Sequence, residues 1–145
     1  MIRPLTPPDI PALFQMLLAL AAEDKGTIAS TEESLTQAAF GPTPMIHALI
    51  AEHGMVIYYP DYSTHRGDLG LYIQDLYVAP TARGTGLARA LVAATLAHQT
   101  WGARYITLGV SPDNAQAIRF YNKLGFTLRG YEAMILDGPA LKALT

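Results

Sequence analysis

The 145-residue chain contains no cysteine, and this absence excludes several kinds of chemistry. Without a thiol there is no disulfide framework, no thiolate zinc site and no cysteine nucleophile. The four histidines are scattered along the chain without HExxH-type spacing, so we predict no metal site. They are His47, His53, His65 and His98.

The chain also lacks a long run of like charges and a long apolar run. Ten Lys and Arg residues against twelve Asp and Glu residues give a formal net charge of −2 at pH 7, with no basic cluster suited to a phosphate backbone. No apolar stretch approaches the roughly 20 residues needed to span a bilayer. We therefore expect neither nucleic acid nor a membrane as a partner, and we expect a soluble, cytoplasmic protein.

The chain does contain enough apolar residues, 50% of the total, to form one core without staples. Residue periodicity predicts a mixed α/β protein with the element order αα-ββ-β-α-β-α-ββ. A capping box formed by Ser30 and Glu33 is predicted to open the second helix. The strands on either side of the third helix should run parallel, because a helix connects them. The predicted helices cover residues 10–22, 30–40, 87–98 and 114–124, and the predicted strands cover 46–51, 55–59, 70–78, 105–110, 126–128 and 131–136, with a polar loop at 60–68.

A pair of glycines stands where the third long strand gives way to a helix, in the stretch Arg83-Gly84-Thr85-Gly86. A helix N-terminus leaves backbone N–H groups unpaired and carries about half a positive charge, which suits a phosphate or pyrophosphate. A Walker-type loop does not fit, because no Lys-Ser/Thr pair follows the glycines, and a dinucleotide fingerprint lacks its third glycine. From the glycines alone, an ordinary helix start that needs positive φ is an equally good interpretation.

Two motifs resemble those of the GNAT acetyltransferases. The first is RxxGxA at residues 83–88, preceded by LYVAP. The second is NAQAIRFY at residues 114–121, followed by Leu124-Gly125-Phe126, which is similar to the family pattern NxxAIxFYxxLGF. Both motifs stand in the family's order, and the resemblance covers nearly the whole chain.

This resemblance implies the GNAT fold in a single domain over residues 1–145. The fold is a mixed, mostly antiparallel sheet of about six or seven strands, flanked by helices, with a parallel β-α-β crossover at the cofactor site. The resemblance also implies acetyl-CoA as co-substrate and no metal. Loop N–H groups would take the pyrophosphate, and the strand before the loop would offer backbone groups to pantetheine. The cofactor-binding residues implied in this way are Leu76, Tyr77, Val78, Arg83, Gly84, Thr85, Gly86, Leu87, Ala88 and Asn114.

The resemblance also assigns a role to Tyr121. It matches the tyrosine that the family commonly uses as a general acid, because the CoA thiolate needs a proton as it leaves. A phenol with a reference pKa near 10 can donate to a thiolate of similar basicity. Outside the motif, Tyr121 would be interpreted as a core aromatic residue.

The acceptor amine must lose a proton before it attacks, because an ammonium group is not a nucleophile. Asp75 is the only carboxylate inside the strand that meets the cofactor, so we predict it as base and substrate ligand. A surface-facing aspartate is the competing interpretation. We also predict that Gln74, beside it, and Glu23, at the end of the first helix, contact the substrate, although helix-end acids are usually only solvated.

The stretch YIQDLYV looks most like the YLEDLYV strand of the diamine (spermidine/spermine-type) acetyltransferase branch. Gln74 stands where glutamate is expected, which removes a negative charge from the presumed amine site. We therefore expect an N-acetyltransferase acting by direct attack in a ternary complex on a primary amine of a small molecule, either polyamine or amino-acid-like. The alternatives are a protein or peptide acetyltransferase, acting on a lysine or N-terminus, and a non-catalytic acetyl-CoA sensor. Exposed Tyr58, Tyr59 and the last strands would support a homodimer, which is common in this family.

Overall fold

The computed structural model describes all 145 residues and contains two compact units, Met1–Gly109 and Val110–Thr145. The first unit holds a five-stranded sheet and three helices, and the second holds two helices. In chain order the elements are β1 (Arg3–Pro4), α1 (Ile10–Glu23), α2 (Glu32–Phe40), β2 (His47–Ala51), β3 (Gly54–Ser63), β4 (Asp68–Val78), α3 (Leu87–His98), β5 (Ile106–Leu108), α4 (Ala115–Leu124) and α5 (Gly138–Lys142).

The strands lie in the order β1-β2-β3-β4-β5, and each pairs with the next in the chain. All pairs are antiparallel except β4 and β5, which run parallel on either side of α3. The predicted fold class and the parallel crossover are therefore confirmed. The sheet has five strands, fewer than the six or seven expected.

The start of α2 differs by one residue from the prediction. Its N-cap is Thr31, whose hydroxyl accepts a hydrogen bond from the Ser34 N–H at 3.0 Å. In return, the Thr31 N–H donates to the Ser34 hydroxyl at 2.9 Å. The predicted capping box of Ser30 and Glu33 is therefore wrong, because a second hydroxyl pair in the same stretch makes the same reciprocal bonds.

The segment predicted as a polar loop at residues 60–68 is largely strand. β3 continues through Pro60 to Ser63 and turns into β4 at Asp68. Proline has no N–H to donate, so it is tolerated only where one side of a strand is unpaired. Pairing with β2 ends at Tyr58, so Pro60 lies where β3 has only β4 beside it.

The two predicted C-terminal strands, at residues 126–128 and 131–136, do not form. The sheet ends at β5, and the second unit contains helices but no strand. Strands are stabilised by cross-strand pairs, so a β-rich segment without a ladder partner stays irregular. Gly130, with φ +77°, also interrupts the stretch between the two predicted strands.

The core lies in the first unit, where α1 and α2 pack on the sheet. Leu13 of α1 and Met55 of β3 are completely buried. Tyr58, expected to be exposed for a dimer contact, is only 3% exposed, and Tyr59 is half-buried. None of the helices combines the length and the apolar character needed to cross a bilayer.

Candidate active site

The candidate site is built around the end of β4, where the strand loses one of its two neighbours. β5 pairs in parallel with β4 only as far as Ile73, opposite Leu108. On its other side, β4 stays paired with β3 to its last residue, Val78. The register with β3 shifts once, so that Gln74 is an extra residue in β4. Bulges of this kind re-aim side chains and are frequent beside active sites.

The backbone of β4 beyond this bulge presents hydrogen-bonding groups to the open side. The Ala79 N–H donates to the His53 carbonyl at 2.8 Å, which identifies a bonded pair. Bonded and non-bonded pairs alternate along an antiparallel ladder, so Tyr77 bonds β3 while Leu76 and Val78 point their N–H and C=O groups away from it. An extended ligand could therefore pair with the N–H and C=O of Leu76 and with the Val78 N–H, whereas the Val78 carbonyl already accepts from Arg83 Nε.

Arg83 connects the end of β4 to the end of α1. Its Nε donates to the Val78 carbonyl at 3.0 Å, and its guanidinium forms an ion pair with Glu23. Glu23, predicted as a substrate ligand, therefore already has a partner in the loop. The pair holds the start of the loop against the last residue of the strand.

The glycine loop has the backbone geometry expected for an anion site. Gly84 and Gly86 have φ values of +80° and +87°, and nothing lies within 4 Å of the position of a Cβ at either residue. Gly86 is the N-cap of α3, so Leu87, Ala88 and Arg89 are first-turn residues whose N–H groups have no partner within the helix. The Thr85 hydroxyl donates back to the Ala82 carbonyl and so steadies the turn. The loop is therefore open, positively polarised and wide enough for a phosphate group to approach the backbone.

Asp75 lies on β4 directly after the bulge and is half-buried. Burial, together with the neighbouring negative charge of Asp24, raises the pKa of the Asp75 carboxyl. A carboxylate with a raised pKa is a better proton acceptor and attracts cations. Asp75 therefore lies one residue from the backbone groups of Leu76, in an environment suited to a base.

Two tyrosines that the sequence analysis did not select complete this side of the sheet. The Tyr59 hydroxyl donates to Gln74 Oε1 at 3.1 Å, and its ring stacks on Tyr72 with centroids 5.2 Å apart. Burial, and then the charges near it, raise the pKa of Tyr59, so its phenol is neutral. The period of two that places Tyr72 and Gln74 near each other in a strand was visible in the sequence, but their partner on β3 was not.

The remaining two predicted site residues belong to the second unit. Tyr121 lies on α4, and its ring makes edge contacts with Phe120 and Phe126, at centroid distances of 5.2 and 5.3 Å. Asn114 is the N-cap of α4, and its Oδ1 accepts from the Ala117 N–H at 3.1 Å. No three His, Asp or Glu side chains of the chain come together as a metal site.

Comparison with known proteins identifies the family. A sequence model of the acetyltransferase (GNAT) family matches residues 13–126. A thialysine N-epsilon-acetyltransferase from Bos taurus is 28% identical over 165 residues, covering 99% of this chain and 96% of the relative.

Solved structures show the same fold. An integron cassette protein from the mobile metagenome of V. cholerae superposes with a TM-score of 0.77 at 22% identity, covering 99% of this chain and 96% of the other. An aminoglycoside N-acetyltransferase in complex with CoA superposes with a TM-score of 0.75 at 16% identity, covering 94% and 93%. At these identities the likeness establishes the fold alone.

Proposed function

Because this chain belongs to the acetyltransferase (GNAT) family and is an N-acetyltransferase, we propose that it transfers the acetyl group of acetyl-CoA to a primary amine of a small molecule. The observation that carries this proposal is the arrangement along β4. A half-buried carboxylate at Asp75, the outward backbone groups of Leu76 and Val78, and the helix N-terminus after Gly86 follow one another in order. The carboxylate suits an amine, the backbone groups suit an amide-bearing arm, and the helix N-terminus suits a pyrophosphate.

The residues present fit the cofactor. The N–H groups from Gly84 to Ala88 would receive the pyrophosphate, and Leu76 and Val78 would pair with the pantetheine amides. The side chain of Tyr77 packs in the hydrophobic core, so it stabilises β4 and does not face the cofactor in this proposal. Acetyl-CoA supplies an activated thioester carbonyl. In our proposal Asn114 contacts the same cofactor from the cap of α4.

The proposed reaction is a direct attack in a ternary complex. Asp75 takes a proton from the bound ammonium, and the free amine nitrogen forms a bond to the thioester carbonyl carbon. The carbon–sulfur bond breaks, and Tyr121 gives its proton to the departing thiolate. As the amide forms, the nitrogen loses a second proton, which replaces the one that Tyr121 gave to sulfur. The proton on Asp75 passes to solvent, and the products are an amide and CoA.

The acceptor class we propose is a small cationic amine, either polyamine or amino-acid-like. Two observations support it: the raised pKa of Asp75, and the name of the thialysine enzyme that aligns over nearly the whole chain. Gln74 is uncharged and already accepts a hydrogen bond from the Tyr59 hydroxyl. The charge that attracts the amine therefore comes from Asp75.

The test is release of CoA thiol from acetyl-CoA across a panel of acceptors. The panel contains thialysine, lysine, polyamines, aminoglycosides and lysine peptides. Turnover on a small amine supports the proposal, whereas turnover on peptides alone identifies a protein-modifying enzyme. Binding of acetyl-CoA without turnover on any acceptor would replace the proposal with a sensor.

We also propose that the protein acts as a homodimer and as one functional domain. Apolar side chains exposed in the second unit support the dimer, among them Leu128 at 85% and Ile135 at 86% exposure. Sedimentation or light scattering at micromolar concentration tests it. A monomer at all accessible concentrations would contradict it.

A further inference from the structure

Tyr72 occupies the point at which β4 and β5 separate. Its backbone pairs with Thr107, and the ladder ends one residue later, at Ile73 and Leu108. The Tyr72 hydroxyl points towards Gly109, the residue that follows the last residue of β5. It lies 3.1 Å from the position that a Cβ on Gly109 would occupy. The phenol therefore lies at the closed end of the gap.

The ring of Tyr72 is braced on its other face. It stacks on Tyr59 at 5.2 Å between centroids with an interplanar angle of 20°. Tyr59 is itself held to the bulge by its hydrogen bond to Gln74. A ring that is stacked on one face and has its hydroxyl close to Gly109 has few alternative rotamers, so it forms a rigid wall at the closed end of the gap.

The proposed course of the cofactor leads to this wall. From the glycine loop, the pantetheine arm runs back along β4 past Val78 and Leu76. Gln74 is two residues further, or about 7 Å at the rise of a strand. In the proposed placement, the thioester end would lie where β4 and β5 converge, beside Tyr72.

We propose that Tyr72 determines acyl-chain length, leaving room for acetyl and excluding butyryl. This inference rests on the cofactor placement of the proposed function and names its acyl specificity. Forcing extra methylenes into a space bounded by fixed side chains is costly, whereas removing the wall makes room for them. Gly109 is part of the same device, because a Cβ there would lie 3.1 Å from the Tyr72 hydroxyl and would displace the phenol by a few tenths of an ångström.

The first test measures dissociation constants of acetyl-CoA and butyryl-CoA by calorimetry, which needs no acceptor. In the wild type, butyryl-CoA should bind at least about tenfold more weakly than acetyl-CoA. In Tyr72→Ala this ratio should fall to about threefold or less. Tyr62→Ala makes the same change at an exposed tyrosine of β3 and should keep the wild-type ratio.

A second pair of variants does not depend on the stability of Tyr72→Ala. A methyl group in Gly109→Ala would press on the Tyr72 hydroxyl, so acetyl-CoA should bind several-fold more weakly, about threefold to tenfold. Tyr72→Phe in the Gly109→Ala background removes the oxygen in contact and should restore binding. Rescue supports the proposal, and an equal loss with Tyr or Phe at position 72 overturns it.

The outcomes separate this inference from the proposed function. If both acyl-CoA molecules bind with the same ratio in wild type and Tyr72→Ala, the acyl-length role is overturned while the acetyltransferase proposal stands. If the ratio changes as expected but no amine is acetylated, the acyl-length role stands and the proposed reaction fails. If neither acyl-CoA binds to the wild type, both are overturned.

Discussion

The two units of the chain place their candidate site residues by different means. In the first unit, Asp75, Leu76 and Val78 are positioned by strand pairing, and the core beneath them contains completely buried side chains. In the second unit no residue is buried, and the Tyr121 ring makes edge contacts with two aromatic neighbours, Phe120 and Phe126. Tertiary packing therefore determines the geometry of the first group, whereas no buried side chain of the second unit lies beneath the helix that carries Tyr121. The first group should therefore respond to distant changes in the core.

The largest expected effect concerns Tyr121, because in the proposed reaction its hydroxyl proton is the one that the departing thiolate receives. Tyr121→Phe keeps the ring and its contacts with Phe120 and Phe126. We expect turnover to fall by about 10²–10⁴-fold, the usual worth of a general acid, while acetyl-CoA affinity is retained. Tyr131→Phe removes the hydroxyl of an exposed tyrosine of the same unit and should leave turnover unchanged. Full activity in Tyr121→Phe would remove this residue from the mechanism.

The difference in packing predicts a contrast in stability between the units. Leu13 is completely buried, so Leu13→Ala should lower the free energy of unfolding by about 2–5 kcal/mol. Leu128 is 85% exposed, and Leu128→Ala should change it by less than about 0.5 kcal/mol. Chemical denaturation of both variants measures the difference. Comparable losses would mean that Leu128 is buried in solution, as in a dimer.

Substitution of Asp75 by Asn should lower the rate of turnover and, as pH increases, raise the free energy of unfolding relative to the wild type. Asp75→Asn removes the proposed base, so turnover should fall by roughly 10²-fold. The folded-state pKa of Asp75 is raised, so its contribution to stability is present at low pH and is lost as pH rises through that pKa. The variant should therefore gain stability over the wild type as pH increases, in thermal melts across the acid range.

Asp113→Asn is the control for this change, at an exposed aspartate of the second unit. It should alter neither the rate nor the pH dependence of stability. An Asp75→Asn enzyme with full activity on a charged amine would contradict the base assignment. A stability difference that does not vary with pH would show that burial does not raise the pKa of Asp75.

The smallest expected effect concerns the hydrogen bonds of the Asp9 carboxylate in the first unit. The Asp9 carboxylate accepts hydrogen bonds from Arg3 at 2.6 and 2.7 Å and from the Thr6 N–H at 2.8 Å. These bonds hold the pKa of Asp9 well below its usual range. The stability it contributes is present above its unfolded-state pKa and is lost as pH falls. Asp9→Ala should cost about 1 kcal/mol at neutral pH and progressively less in acid.

Asp137→Ala is a matched change in the second unit. Asp137 is the N-cap of α5, but its side chain makes no capping hydrogen bond. The substitution should therefore change the free energy of unfolding by less than about 0.5 kcal/mol at any pH. A loss equal to that of Asp9→Ala would show that local capping is equally important in both units.

Much of the fold and part of the candidate site could be predicted from the sequence. The bounds of α3 follow from helical spacing, and a polar N-cap for α4 at residue 113 or 114 follows from side-chain capping, both of which are local. The fate of residues 126–136 was not predictable in this way, because β-rich composition promotes a strand only where a partner strand is available. The same limit applies to Pro60, whose place in β3 depends on where β2 stops.

For the site, local signals determined the loop at Gly84 and Gly86, since positive φ and a helix start are properties of a few adjacent residues. Tertiary structure alone decided that Glu23 meets Arg83, because 60 positions of chain separate them. It also decided that Tyr59 stacks on Tyr72 and that Tyr72 closes the gap beside Gly109. These contacts join residues from different strands and loops, and their partners follow from sheet register and strand separation, which are properties of the assembled sheet.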